Sequence, residues 1–326
     1  MALTQAQLDT FHRDGFLIVE DVFDEEDVEA ARVEMERVFY GMSFEEYLAK
    51  IDATGKAEST DPTRTAAIAH YGEKDYGRPQ FPTGIEALDR LIENDDYLDM
   101  YEQCLGTTDM SYCNGHLFLR SGPTDKRHAE NPWQGYHIDH ATNCFLPPSQ
   151  EVDLYNYVNS CVYLHDVEDD GAPMQIIPGT HRQIIDLLPQ LIQEGNWSGR
   201  GGLKDIREIP EFAASVSTTA KAGSVRFNSS YGVHAAIPFK NKRKQRGYWT
   251  LSLCRGDSSQ WTKLSNLWQE QEFSVPFWTK TTPRVRSLFG WPKPGHPNYI
   301  PETLEFLAHW FPGMDLAPYQ QGMVQK

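Results

Sequence analysis

The sequence YHIDH at residues 136–140, together with a second histidine far downstream at His234, decides the fold of this chain. On a β-strand, residues two apart point to the same face, so His137 and Asp139 converge on one point. A His-x-Asp pair and a distant histidine form the ligand set of a non-heme Fe(II) site with open coordination positions. The second histidine must come from a neighbouring strand. Its position 95 residues after Asp139 fits a barrel whose later strands return beside earlier ones.

An arginine follows the second histidine. Arg246 lies 12 residues after His234, just before an apolar run. Since a guanidinium binds a carboxylate through two parallel hydrogen bonds, Arg246 indicates a dicarboxylate cosubstrate. Arg243 is the competing residue, but it lies in the basic run 240–244, which is typical of a solvated loop.

Two hydroxyl side chains lie on the same predicted strand as Arg246. Thr250 and Ser252 are four and six residues further on and therefore share its face. We expect either hydroxyl to add a hydrogen bond to the cosubstrate.

Composition limits the possible partners. The chain has 326 residues, 40% of them hydrophobic, and a net charge of −16, which argues against nucleic acid as a partner. We find no apolar run long enough to span a membrane and no signal-peptide pattern near the start. The five cysteines include no C-x-x-C pair, so we expect reduced thiols in a cytoplasmic protein. A thiol beside the metal, from Cys144 or Cys161, is the alternative.

Helices are predicted in the first third of the chain. Thr4 and Gln7 form a capping box for a first helix that ends at Gly15, and a strand follows at residues 16–19. Asp24 is predicted to cap a second helix, and a third is predicted from Glu86 to Leu105. The second helix carries apolar residues at helical spacing, namely Val28, Ala31, Met35 and Val38.

Short β-like runs separated by turn residues follow from residue 112 and indicate a sandwich or jelly roll. They lie at residues 116–120, 135–141, 157–165, 174–177, 224–228 and 248–254. A helix is predicted over 184–194. The tail from residue 264 is rich in Trp, Phe and Pro, and we expect it to pack against the barrel, with a substrate wall or a dimer contact as the alternative.

The polar segment 52–84 is punctuated by Gly and Pro. A connection this long without clear structure is typically functional or disordered. We expect it to act as a lid over the metal and to become ordered when substrate binds.

These motifs, in their order along the chain, resemble the phytanoyl-CoA dioxygenase family of Fe(II)/2-oxoglutarate oxygenases over residues 3–256. The resemblance rests on the H-x-D motif at His137, the segment GAPMQIIPGTHR at 171–182, His234 and Arg246, and on the opening DGFLIV at 14–19. It implies a mainly β fold with flanking helices around a double-stranded β-helix, a cupin-like jelly roll. The whole chain, 1–326, would be one oxygenase domain, with helices and lid in 1–111, the core in 112–256 and a C-terminal extension in 257–326.

The resemblance also implies roles for individual residues. His137, Asp139 and His234 would bind Fe(II), and 2-oxoglutarate would chelate that iron and place its remote carboxylate on Arg246. Arg120 either touches the cosubstrate or is a surface arginine at a strand end. The family shares His181 without using it on iron.

The expected function is hydroxylation of a small organic substrate with Fe(II), 2-oxoglutarate and O₂, giving succinate and CO₂. Halogenases of this superfamily lack the carboxylate ligand, so the presence of Asp139 argues against halogenation. A metal-binding jelly roll with isomerase or hydrolase chemistry, or with a binding role only, is the alternative, and Arg246 weighs against it.

Overall fold

The computed structural model describes residues 2–57, 81–125, 135–139, 157–195, 214–256, 274–297 and 311–321, with single positions from 203 to 212 and from 299 to 308. The described elements are, in chain order, α1 (Gln5–Asp14), β1 (Phe16–Val19), α2 (Glu25–Tyr40), α3 (Phe44–Thr54), α4 (Glu86–Asp89), α5 (Asp95–Leu105), β2 (Met110–Ser121), β3 (Tyr157–Tyr163), β4 (Met174–Ile176), α6 (Thr180–Gln193), β5 (Val216–Ser217), β6 (Val225–Ser229), β7 (His234–Ala236), β8 (Gln245–Arg255), α7 (Ser274–Lys280), α8 (Pro283–Leu288) and α9 (Ala317–Gln321).

Two antiparallel sheets with flanking helices form the jelly-roll core that the sequence predicted. The larger sheet has the strand order β1-β6-β3-β8-β2, and the smaller one has the order β5-β4-β7. The longest pairing joins β2 to β8, from Met110 opposite Arg255 to Ser121 opposite Gln245. Between the sheets lies a cavity, and helices cover the opposite face of the larger sheet.

Local sequence signals fix the first helices. The backbone N–H of Gln7 donates to the Thr4 hydroxyl and the N–H of Thr4 donates to the Gln7 side chain, which confirms the predicted capping box. Gly15 ends α1 in the left-handed conformation at φ 79°, as predicted. The four apolar residues predicted to form one face of α2 are all buried.

The prediction of one continuous helix from Glu86 to Leu105 is wrong. The chain forms the short α4 and a 3₁₀ turn at Arg90–Glu93, and then restarts as α5. The cause is Asn94, which takes extended backbone angles and accepts a hydrogen bond from the N–H of Tyr97 at 2.9 Å. Helix α3 was not predicted, although its capping box from Ser43 and Glu46 is visible in the sequence.

The predicted strand at 135–141 is shorter than expected. Within the described residues 135–139, pairing is limited to one antiparallel bridge between His137 and His234. The predicted lid falls largely on 58–80, which lie outside the described residues, so its function stays a prediction.

The main hydrophobic core lies behind the larger sheet. Alternation along β8 sends Trp249, Leu251 and Leu253 into this core. Phe277 and Trp278 of α7 belong to the same core, so the described part of the C-terminal tail packs against the barrel, as expected. None of the helices that the structure describes is both long and apolar enough to cross a membrane.

Candidate metal and cosubstrate site

Pairing between backbones brings the two histidines of the motif together. The N–H of His137 donates to the carbonyl of His234 at 2.9 Å, and the N–H of His234 donates back to the carbonyl of His137 at 3.0 Å. The N–H of Asp139 donates to the carbonyl of Ser230 at 3.0 Å. These bonds fix the register between the His-x-Asp segment and the strand of the distal histidine.

The three side chains converge on one point. The Nε2 atoms of His137 and His234 each lie 3.7 Å from a carboxylate oxygen of Asp139, and all three ligand atoms lie within 4.8 Å of one another. First-row metals bind imidazole nitrogen at about 2.1 Å, so atoms at these separations can share one ion. The donor set of two imidazoles and one carboxylate suits Fe(II).

Hydrogen bonds hold both imidazoles with Nε2 available to a metal. Nδ1 of His137 donates to the carbonyl of Gly135, and Nδ1 of His234 donates to the carbonyl of Gly232, each at 2.9 Å. A carbonyl only accepts, so the ring proton must lie on Nδ1 and the lone pair on Nε2. Burial lowers the pKa of His234 to about 4, so this imidazole is neutral near pH 7, the form that binds metal.

A chain of polar side chains holds the carboxylate of Asp139. The Asn159 amide donates to Oδ2 of Asp139 at 2.6 Å, and the Ser252 hydroxyl donates to Oδ1 of Asn159 at 2.5 Å. Sequence reasoning missed Asn159. Its position on a predicted strand was visible in the sequence. The role of its amide could not be assigned, because the sequence does not show which residues lie opposite it on the neighbouring strands.

The side chains of His137, Asp139 and His234 line a cavity of about 390 Å³ between the sheets. Its wall on the larger sheet is made by side chains that alternate with the core residues along β2, β3, β6 and β8. The apolar and aromatic part of the lining consists of Phe118, Tyr157, Cys161, Met174, Ala236 and Tyr248.

Arg246 is buried and reaches into this cavity. The residue is 4% exposed, one Nη donates to the carbonyl of Ala172, and the guanidinium lies 4.6 Å from the centroid of the Tyr248 ring. Its Nε has no acceptor among the described residues. A buried donor without an acceptor is costly, so the arrangement fits a carboxylate bound at this guanidinium.

The predicted hydroxyls both line the cavity but already have protein partners. The Thr250 hydroxyl donates to the carbonyl of His116 at 2.9 Å, and Ser252 bonds Asn159 as described above. Ser252 therefore supports the Asn159 amide that holds Asp139, and Thr250 joins β8 to β2.

The other two arginines considered from the sequence lie apart from the cavity lining. Arg120 donates to Asp125 and to the carbonyl of Ile237, each at 3.0 Å, and these contacts favour the structural alternative over cosubstrate binding. The side chain of Arg243 is 61% exposed and pairs with Asp52. Arg243 is thus a surface residue.

Two further polar residues line the cavity and were missed. Arg226 and Asn228 lie on β6, two residues apart, and both are buried. The signal in the sequence was the alternation of apolar and polar residues along this strand, which places Arg226 and Asn228 on one face. Among the cysteines considered, Cys161 lines the cavity, while Cys144 falls outside the described residues.

Comparison with known proteins identifies the family of this chain. A family model described as phytanoyl-CoA dioxygenase matches residues 11–247. The ectoine dioxygenase of Bordetella bronchiseptica is 22% identical over 247 residues, which cover 72% of this chain and 71% of that protein.

Solved structures support the fold. HygX from Streptomyces hygroscopicus with nickel and 2-oxoglutarate bound is 16% identical, with a TM-score of 0.51 over 80% of this chain and 90% of HygX. The structure of HygX with iron bound is 17% identical, with the same TM-score over 82% and 94%. The match of the family model over more than two thirds of the sequence shows that this chain belongs to the phytanoyl-CoA dioxygenase family of non-heme Fe(II)- and 2-oxoglutarate-dependent oxygenases.

Proposed function

We propose that this protein hydroxylates a small organic molecule, with His137, Asp139 and His234 as the Fe(II) ligands and Arg246 as the anchor for 2-oxoglutarate. The observation that carries the proposal is that the three ligand atoms converge on a cavity in which a buried guanidinium has a donor without an acceptor. Bound iron and 2-oxoglutarate would supply the activation of O₂, with succinate and CO₂ as coproducts.

The protein's own part is to bind and orient. Two neutral imidazoles and one carboxylate leave a bound Fe(II) with a net charge near +1, which attracts an anionic chelator. Arg246 would then fix the remote carboxylate through charge-assisted hydrogen bonds. These two contacts determine how the cosubstrate lies along the cavity.

The cavity wall offers both apolar and polar contacts to a substrate. Phe118 and Met174 present apolar side chains to the cavity, whereas Asn114 and His116 present polar ones. The substrate would share this cavity of about 390 Å³ with 2-oxoglutarate. Because a relative is named an ectoine dioxygenase, ectoine is one compound for a substrate screen read by succinate release.

The test is Fe(II)- and O₂-dependent formation of succinate from 2-oxoglutarate, compared between Arg246→Ala and Arg243→Ala. Removing one partner of a buried, hydrogen-bonded charge pair costs about 2–5 kcal/mol. We therefore expect Arg246→Ala to raise the apparent KM for 2-oxoglutarate by at least tenfold while iron affinity changes little. The surface variant Arg243→Ala should resemble the native protein. Equal effects, or the reverse order, would reject Arg246 as the anchor.

A further inference from the structure

A second buried arginine lies in the cavity that holds Arg246. Arg226 is 2% exposed, and its guanidinium is surrounded by neutral groups. It donates to Asn228 Oδ1 at 3.2 Å, Thr218 Oγ1 at 3.3 Å and Cys161 Sγ at 2.8 Å, and the Tyr163 hydroxyl is a further neighbour. Burial raises the pKa of the Cys161 thiol, so this neighbour carries no negative charge that would pair with Arg226.

Both guanidiniums lie beside the same aromatic ring of the cavity wall, that of Tyr248. Arg226 comes from β6 and Arg246 from β8, the strands on either side of β3. The guanidinium carbon of Arg226 lies 5.9 Å from the centroid of the Tyr248 ring, and that of Arg246 lies 4.6 Å from the same ring. Cys161 lies on β3, the strand between them, and the positive charges of both guanidiniums act on its thiol.

Within the part of the chain that the structure describes, no carboxylate forms a salt bridge with either guanidinium. Arginine keeps its proton under all ordinary conditions, and a buried cation without a partner is costly. Asp139 is the carboxylate among the described lining residues, and its oxygens face the two histidines and Asn159. A bound anion would supply the opposite charge, and one carboxylate has enough lone pairs to accept from two guanidiniums.

We propose that Arg226 is a second binding residue for the remote carboxylate of 2-oxoglutarate, which two arginines from different strands hold together. The inference rests on the proposed function, because it assigns the anion to the cosubstrate. It implies that the site selects 2-oxo acids with a distal carboxylate more strongly than Arg246 alone would allow.

The experiment measures the affinity of the native protein and of three arginine variants for two ligands. Protein loaded with Ni(II), which binds the same donors without turnover, is titrated by calorimetry with 2-oxoglutarate and with 2-oxopentanoate. The second ligand has the same chain length but no distal carboxylate. Arg226→Met and Arg246→Met remove the charges while keeping most of the side-chain volume, and the surface variant Arg243→Met is the control.

We expect Arg226→Met to weaken binding of 2-oxoglutarate by about tenfold or more, as expected for a buried charge pair that loses one partner. Binding of 2-oxopentanoate should change by less than about twofold, because that ligand offers nothing to the guanidinium. If Arg226→Met does not fold, Arg226→Lys keeps the charge but not the fork, and it should show an intermediate, equally selective loss.

Three results would overturn the inference. An equal loss for both ligands would mean that Arg226 only shapes the metal site. Unchanged 2-oxoglutarate affinity in Arg226→Met, with a selective loss in Arg246→Met, would reject the role of Arg226 and leave the proposed function standing. Failure of the native, metal-loaded protein to prefer 2-oxoglutarate over 2-oxopentanoate would reject the proposed function as well.

Discussion

At the scale of single residues, the orientation of Asp139 depends on a hydrogen-bond chain that begins on β8. Ser252 donates to Asn159, and Asn159 donates to Asp139. The amide therefore holds one oxygen of the Asp139 carboxylate and limits rotation of that side chain. Substitution of such a supporting residue typically costs about 10–100-fold in metal affinity.

We expect Asn159→Ala to lower the affinity for Fe(II) or Ni(II) by about this factor, measured by calorimetric titration without oxygen. Asn114→Ala is the matched control, since Asn114 also lines the cavity but donates to the Tyr157 hydroxyl. Equal losses in the two variants would show that the effect comes from the cavity wall in general and not from the bond to Asp139.

The predictable residues are those whose spacing has a geometric cause. His137 and Asp139 share a strand face, and Arg246 stands out as a cation before an apolar run. Asn159 and Arg226 were missed because their roles arise from register: Asn159 lies opposite Ser252 and Asn228, and Arg226 lies opposite Cys161. A single sequence does not contain that register.

At the scale of elements, a buried carboxylate fastens α2 to the larger sheet. The side chain of Glu36 is 3% exposed and contacts four groups: Arg32 and Gln245 at 2.6 Å, the N–H of Phe44 at 2.8 Å and His165 at 3.4 Å. Burial alone would raise the pKa of this carboxyl, but the hydrogen bond from His165 and the other contacts lower it to about 2. Gln245 precedes Arg246, so this cluster also supports the start of β8.

The lowered pKa makes the contribution of Glu36 to stability depend on pH. Its folded pKa is below the ordinary value, so the stabilisation is complete above about pH 4.5 and is lost as the pH falls towards 2. The shift corresponds to roughly 3 kcal/mol. We expect the difference in unfolding free energy between native protein and Glu36→Gln to shrink as pH falls from 6 to 3.5, measured by denaturant titration. A difference independent of pH would contradict the ionised, buried carboxylate.

Helix ends were more predictable than helix continuity. The capping box of Thr4 and Gln7 and the stop at Gly15 depend on contacts within a few residues. The break at Asn94 was missed because its side chain caps α5 and also donates to the carbonyl of Val22, a contact 72 residues away. The helical spacing of apolar residues continues across this break, so the sequence pattern predicts one continuous helix.

At the scale of the whole molecule, the C-terminal helices complete the core on the side away from the cavity. Arg284 at the start of α8 pairs with three acidic residues of α5, namely Asp95, Asp99 and Glu102. The aromatic content of the tail predicted packing, but the surface it covers depends on the fold. This arrangement separates a helical face that provides stability from a cavity face that carries the polar chemistry.

The central claim is that His137, Asp139 and His234 form the iron site of a 2-oxoglutarate-dependent oxygenase. The most direct test is anaerobic calorimetric titration of Fe(II) into the native protein and into Asp139→Ala, followed by addition of 2-oxoglutarate. We expect one Fe(II) per chain in the native protein, 2-oxoglutarate binding that requires this metal, and loss of both in Asp139→Ala. Asp166→Ala, which removes a surface carboxylate paired with Lys221, should behave like the native protein. Full Fe(II) and 2-oxoglutarate binding by Asp139→Ala would contradict the account.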